Sequence, residues 1–177
     1  MIVLIVIAAA LCLSSSLIAS CYDTDYLEVD PATGLHITGD VTEVDVVTYR
    51  LVVTGKVDRE VSLSYEEILA LSPKATGFPD LVCPGYFVDQ ANWSGVPFGT
   101  VLEMAGVRTD ASWVRMKGAD GYSIKVELGV ALAANSFLAY ELEGETLPVS
   151  QGFPLRAVLP GEEGNRWVKW VQELVVE

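Results

Sequence analysis

Tyr49-Arg50-Leu51-Val52-Val53-Thr54-Gly55-Lys56-Val57 is rich in β-branched residues, closes at Asp58-Arg59, and is answered by Val61-Ser62-Leu63. That pattern predicts a β-hairpin. Directly after it, Ser64-Tyr65-Glu66-Glu67 has the form of a capping box, in which the Ser64 hydroxyl accepts the Glu67 amide and the Glu67 side chain reaches back. Ile68, Leu69 and Leu71 give the short helix an apolar face, and Ser72-Pro73 stops it. Leu81-Val82 leads into Cys83-Pro84-Gly85, which predicts a thiol where a strand ends and the backbone turns. Phe98 to Ala105 reads as a second helix closed by Gly106. Trp113-Val114-Arg115-Met116 and Tyr122-Ser123-Ile124-Lys125-Val126 flank an Asp120-Gly121 turn, a second hairpin signal. Phe137 to Leu142, Leu155 to Leu159 and Arg166 to Val176 complete the predicted strands. The fold class is mixed, β-dominated α+β.

The 177 residues carry 24 Asp and Glu against 11 Lys and Arg, a formal net charge of −13, and are 51% apolar. One domain with a real core fits this length. A chain this acidic has too few cations to release counterions from phosphate backbones, which excludes nucleic acid as a default partner.

The N-terminus is built differently from the rest. Ile2 to Leu13 are 12 apolar residues in a row, and every Asp, Glu, Lys and Arg lies at Asp23 or later. This suits the apolar region of a signal peptide better than a membrane span, which needs roughly 20 apolar residues. Ala19-Ser20-Cys21 resembles a lipobox, in which Cys21 is acylated and becomes the new N-terminus. The expected layout is a signal peptide with lipobox over residues 1–21, a tether over 22–45 rich in Asp, Thr and Gly, and a domain over 46–177. It places the domain outside the cytoplasm, anchored to the membrane through the N-terminal lipid or the leader.

Cys12 leaves with such a leader and Cys21 carries lipid, so Cys83 is the one thiol of the mature domain. It is either a buried structural cysteine, an intermolecular one or a chemical one. Arg156, Arg166 and Lys169 fall close together in a chain otherwise poor in cations, beside Gly152, Gly161 and Gly164. They are either paired with neighbouring carboxylates or gathered around an anionic ligand. Trp93, Trp113, Trp167 and Trp170 read as packing residues. His36 is the only histidine and falls in the tether, so no histidine-based metal site or catalytic triad can be assembled.

Leu81-Val82-Cys83, Trp93-Ser94-Gly95-Val96-Pro97-Phe98, Asp120-Gly121-Tyr122, Leu138-Ala139-Tyr140-Glu141, Gly144-Glu145-Thr146-Leu147-Pro148, Gly152-Phe153-Pro154-Leu155-Arg156, Pro160-Gly161 and Val168-Lys169-Trp170 occur in that order. Together they resemble the molybdopterin-binding domain of the sulfite oxidase family, from about Tyr49 to Val176. The resemblance implies a molybdopterin cofactor, with molybdenum or tungsten, in which Cys83 is the metal ligand and the catalytic position. Arg156, the Trp167-Val168-Lys169 segment and Asp120 match stretches that contact the pterin. Gln151 stands where the family has a histidine before its Gly-x-Pro-x-Arg run, so a neutral side chain occupies that cofactor-binding place. The implied function is redox chemistry on a small-molecule substrate, with an electron-transfer partner in the membrane or periplasm. The leader holds no arginine, and an acidic stretch stands where larger members have an Arg/Asn/His segment. These departures favour an alternative, a cofactor-free binding or accessory lipoprotein that retains the fold.

Overall fold

The computed structural model describes residues 28–177. The leader, Cys21 and the first part of the expected tether lie outside the described residues. The strands are β1 (Leu51–Gly55), β2 (Val61–Leu63), β3 (Ala75–Gly77), β4 (Asp80–Cys83), β5 (Phe87–Gln90) and β6 (Trp93–Pro97). They continue with β7 (Trp113–Gly118), β8 (Ser123–Glu127), β9 (Phe137–Leu142), β10 (Glu145–Thr146), β11 (Arg156–Val158) and β12 (Val171–Val176). Short helices α1 (Tyr65–Leu69), α2 (Phe98–Ala105) and α3 (Leu128–Ala131) join them, with 3-10 turns at Val149–Gln151 and Gly164–Arg166.

One five-stranded sheet runs β2-β1-β12-β7-β8, with β1 and β12 parallel and its other pairs antiparallel. A second runs β10-β9-β6-β3, with β11 also paired to β9. The ribbon β4-β5 stands apart as a two-stranded sheet. In β7 and β12 apolar residues alternate into the core, so the first sheet buries one face. Nearly every residue of β9 and all of β11 are buried, which explains their continuous apolar runs.

Both predicted hairpins form, with Gly121 at φ 86° in the turn of the second. The capping box forms in both directions, and Gly106 closes α2 at φ 70°. Gly95 has a different reason to be glycine. A Cβ there would lie 1.9 Å from the Leu138 carbonyl oxygen, so β6 and β9 pair at that register only because the position lacks one.

Two expectations differ from the fold. The strand expected from Arg166 begins only at Val171: Gly164–Arg166 is a 3-10 turn, and Trp170 takes a left-handed φ of 51°. The Trp170 amide donates to the Gly152 carbonyl and its indole Nε1 to the Val149 carbonyl, bonds that hold the chain away from strand geometry. The described part of the stretch read as a tether, from Glu28 to Asp45, is docked on the domain rather than loose. Val29 and His36 form an antiparallel bridge around a turn with Gly34 at φ 73°, and Leu35 is buried. Among the described residues no helix is long and apolar enough to cross a membrane.

Candidate functional site

Cys83 ends β4, and the alternation of that strand turns Leu81 and Cys83 inward beside the Gly164–Arg166 turn. A Cβ built on Gly164 would lie 2.8 Å from the Cys83 Sγ and 3.1 Å from Leu81 Cδ1. Glycine at 164 therefore lets the turn come up against the sulfur, where any side chain would crowd it. The half-buried thiol has its pKa raised, first by burial, with Arg156 pulling it down and Asp89 and Glu163 pushing it further up. Left to itself Cys83 is a poor thiolate. A metal cation is what would deprotonate it.

Arg156 begins β11 and is 4% exposed. Its NH1 donates to the Gln151 carbonyl oxygen at 3.1 Å and to Gln151 Oε1 at 2.7 Å, and the guanidinium sits 4.9 Å from the centre of the Trp93 ring. Its Nε is buried without a partner. Burial lowers the Arg156 pKa to about 10, against the raising influence of Cys83 and Asp89. Lys169 donates to the Thr38 carbonyl at 2.6 Å and the Ser150 carbonyl at 3.1 Å. Burial, then the charge of Arg156, lowers its pKa to about 8, with Asp120 opposing. Neither cation forms an ion pair among the described residues. Arg166 does, with Glu162 at 3.2 Å on the surface, so it leaves the predicted basic group.

Lys169 opens onto a cavity of about 280 Å³, whose lining includes Thr38, Asp120, Tyr122, Asn165, Trp167 and Val168. Asp120 accepts the Tyr122 amide through its side chain and so shapes the hairpin turn at the rim. Trp167 is buried, its indole donating to the Leu159 and Glu162 carbonyls, and meets Trp93 edge to face. The Val168 carbonyl accepts the Ala157 amide, tying the cavity wall to β11. Gln151 is buried, with Nε2 donating to the His36 carbonyl and Oε1 accepting from Arg156. It is a link between the N-terminal segment and the guanidinium.

His36 and Asp89 were not among the residues expected here. Asp89, on the Cys83 side of the ribbon, accepts the His36 amide at 2.7 Å and faces its Nδ1 at 2.8 Å, while the imidazole stacks on Phe87 at 4.0 Å. The signal available for the segment was Asp30-Pro31-Ala32-Thr33-Gly34, a turn sequence between apolar Val29 and Leu35. Nothing in the sequence paired His36 with a carboxylate 53 residues away.

The residues fit a molybdopterin. A buried guanidinium nitrogen lacks an acceptor, buried Arg156 and half-buried Lys169 lack carboxylate partners, and only a glycine is tolerated against the thiol. Among the described residues no three His, Cys, Asp or Glu side chains gather to hold a metal, so this chain's contribution would be Cys83 alone, with the pterin supplying further donors.

Among the described residues, this combination of a β-dominated domain, a single inward cysteine and two cations without carboxylate partners defines a cofactor-binding redox domain. Residues 38–177 match the oxidoreductase molybdopterin binding domain model, and the chain belongs to that family. It is 34% identical over 137 residues to YedZ1 of Azospira oryzae, described as a protein-methionine-sulfoxide reductase subunit, covering 77% of this chain and 52% of that protein. It is also 34% identical over 137 residues to the oxidoreductase YuiH of Bacillus subtilis, covering 76% and 69%. Against the NADPH nitrate reductase of Emericella nidulans it is 30% identical over 162 residues, covering 77% of this chain and 19% of that one. The chain thus spans about half of the first of these relatives. Sulfane dehydrogenase SoxCD from Paracoccus pantotrophus has a similar structure, with a TM-score of 0.72 at 27% identity over 77% of this chain and 40% of that chain. The family implies a molybdopterin cofactor.

Proposed function

We propose that this chain is the molybdopterin-carrying part of an extracytoplasmic oxidoreductase acting on a small substrate. The observation that carries it is the pair of cations, buried Arg156 next to Cys83 and half-buried Lys169 on the adjoining cavity, that form no ion pair among the described residues. When bound, the cofactor supplies two-electron redox chemistry at the metal. Cys83 holds the metal through its thiolate. Arg156 Nε offers a donor inside the domain, and Lys169 releases the Thr38 and Ser150 carbonyls or shares its protons with an anionic group of the pterin. Gln151 fixes the guanidinium, and the walls made by Asp120, Trp167 and Val168 shape the cavity. Asp89 holds His36 beside the ribbon, closing the N-terminal segment over the site.

The Ala19-Ser20-Cys21 ending of the apolar leader supports a lipid anchor at Cys21 outside the cytoplasm. The names of the relatives make methionine sulfoxide and nitrate the first substrates to try. Protein from a host that makes the cofactor should turn over one of these, or another small oxygen-atom donor or acceptor, with a redox dye, and Cys83→Ser should abolish turnover while staying folded. Equal turnover by wild type and Cys83→Ser would overturn the assignment of the metal to Cys83.

A further inference from the structure

Residues 28–38 are tied to themselves through the backbone and to the domain through side chains. Within the segment the Asp30 amide donates to the Leu35 carbonyl at 2.8 Å and the Ile37 amide to the Glu28 carbonyl at 2.7 Å, closing a small hairpin. Among the described residues no backbone hydrogen bond runs from 28–44 to the rest of the chain. The hairpin is held down by burial of Leu35 and by bonds to the side chains of Asp89, Ser150, Gln151 and Lys169. Behind it, residues 39–44 make no backbone hydrogen bond among the described residues, and Gly39 turns at φ 69° in open space. A unit pinned at a few side chains can lift without breaking a ladder, well below the free energy of global unfolding.

Three of those four pins belong to the site or to the ribbon that carries Cys83. Asp89 stands opposite Leu81, two residues from Phe87, which pairs with Cys83. Its Oδ2 accepts the His36 amide at 2.7 Å, its Oδ1 faces Nδ1 at 2.8 Å, and the imidazole lies on Phe87 with ring centres 4.0 Å and planes 7° apart. With its amide, one ring nitrogen and one ring face engaged, His36 has its carbonyl fixed as well. That carbonyl accepts Gln151 Nε2 at 3.2 Å. An amide has one donor end and one acceptor end, so once His36 takes the donor end, Oε1 is left for Arg156 NH1 at 2.7 Å. Two residues on, the Thr38 carbonyl accepts Lys169 Nζ at 2.6 Å, and Thr38 and Gly39 form part of the cavity wall. One strap thus orients both cations, Arg156 through Gln151 and Lys169 directly.

We propose that His36 is a positioning residue of this site and the latch of a strap, residues 28–38, which lifts about residues 39–44 to admit the cofactor and closes over it when His36 returns to Asp89 and Phe87. The proposal rests on the reading that Arg156 and Lys169 hold the pterin. His36 acts through Gln151 and the strap backbone, and an anionic group at Lys169 competes with the Thr38 carbonyl for the same ammonium protons.

The full-length chain in non-ionic detergent, as wild type, His36→Ala, His36→Asn and Ser150→Ala, tests this. His36→Asn keeps an amide nitrogen where Nδ1 stands and loses the ring, and Ser150→Ala frees only the outer turn at Asp30. In cofactor-free protein, hydrogen–deuterium exchange of peptides over 28–38 should run at least about tenfold faster than over β9. His36→Ala should speed the strap by about a further tenfold with β9 unchanged, and should raise acetylation of Lys169 severalfold. His36→Asn should bring both back to within about threefold of wild type, and Ser150→Ala should speed strap exchange while leaving Lys169 labelling within about twofold. From cofactor-loaded protein, pterin should leave His36→Ala about tenfold faster than wild type, read by its fluorescence. Strap exchange as slow as that of β9, β9 speeded along with the strap, or unchanged Lys169 labelling in His36→Ala would each overturn the latch. Pterin content separates the two claims: equal pterin loss from loaded wild type and His36→Ala fails the latch alone, and wild type that holds no pterin fails the functional reading beneath it.

Discussion

Lys169 offers a test of the site that needs no substrate. Its ammonium is half-buried near Arg156 with only carbonyl acceptors, and desolvation and then the Arg156 charge lower its pKa from 10.5 to about 8 in the folded chain. Unfolded chains keep the proton up to about 10.5, so between those values the unfolded state binds more protons and unfolding free energy must rise with pH. The gap, at about 1.36 kcal/mol per pH unit, amounts to at most about 3 kcal/mol. This is a cost of the charged form, present in full below pH 8 and relieved as pH climbs to 10.5. Lys169→Met removes it, along with two hydrogen bonds of about 1 kcal/mol each. That loss shifts the comparison without giving it a slope. Urea unfolding of cofactor-free wild type and Lys169→Met at intervals from pH 7.5 to 10.5 should show the wild type gaining on the variant by about 2 to 3 kcal/mol across the range. In cofactor-loaded protein an anion facing Lys169 raises its pKa, and the slope should shrink or vanish. A difference between the two proteins that stays flat with pH in the cofactor-free state would refute the reasoning.

The remaining predictions concern the frame of the site. Gly164→Ala places a methyl 2.8 Å from Cys83 Sγ and should lose most bound metal while costing about 1 to 3 kcal/mol in chemical denaturation. Gln151→Leu strips Arg156 NH1 of its side-chain acceptor and the His36 carbonyl of a donor, and should cost about 1 to 3 kcal/mol, read as a lowered urea midpoint. Gly95→Ala meets backbone rather than side chain at Leu138 and should cost about 3 kcal/mol or more, with circular dichroism showing lost sheet; near-neutral stability would mean the strands can separate there cheaply. In cofactor-free protein Cys83 should react with iodoacetamide more slowly than a free thiol at pH 8, because burial raises its pKa, and in metal-loaded protein it should be protected outright.

Local signals carried the fold well where they were self-sufficient. The β-branched run at Leu51–Gly55, the Ser64 to Glu67 box and the Asp120-Gly121 turn each fix geometry through neighbours a few residues away, and each formed as read. Trp170 broke the expected last strand because its indole and amide bonds reach Val149 and Gly152, partners the local pattern does not contain. Cys83 and Arg156 were readable as single conspicuous residues in an acidic, cysteine-poor chain. Their arrangement was not, since Gln151, which holds Arg156, reaches back 115 residues to His36, and Asp89 reaches His36 over 53. The stretch from Glu28 to Asp45 read as a tether because its composition is polar, although Asp30, Leu35, His36, Thr38 and Val44 all anchor it on the domain.

Cofactor occupancy tests the central claim most directly. Full-length protein purified under mild conditions from a host that makes molybdopterin should contain about one molybdenum or tungsten and one pterin per chain, set by the single inward thiol. In Cys83→Ser the metal should be lost while the thermal transition of the cofactor-free form barely moves. Folded, monodisperse wild type from such a host with neither metal nor pterin would contradict the account and leave a cofactor-free binding domain in its place.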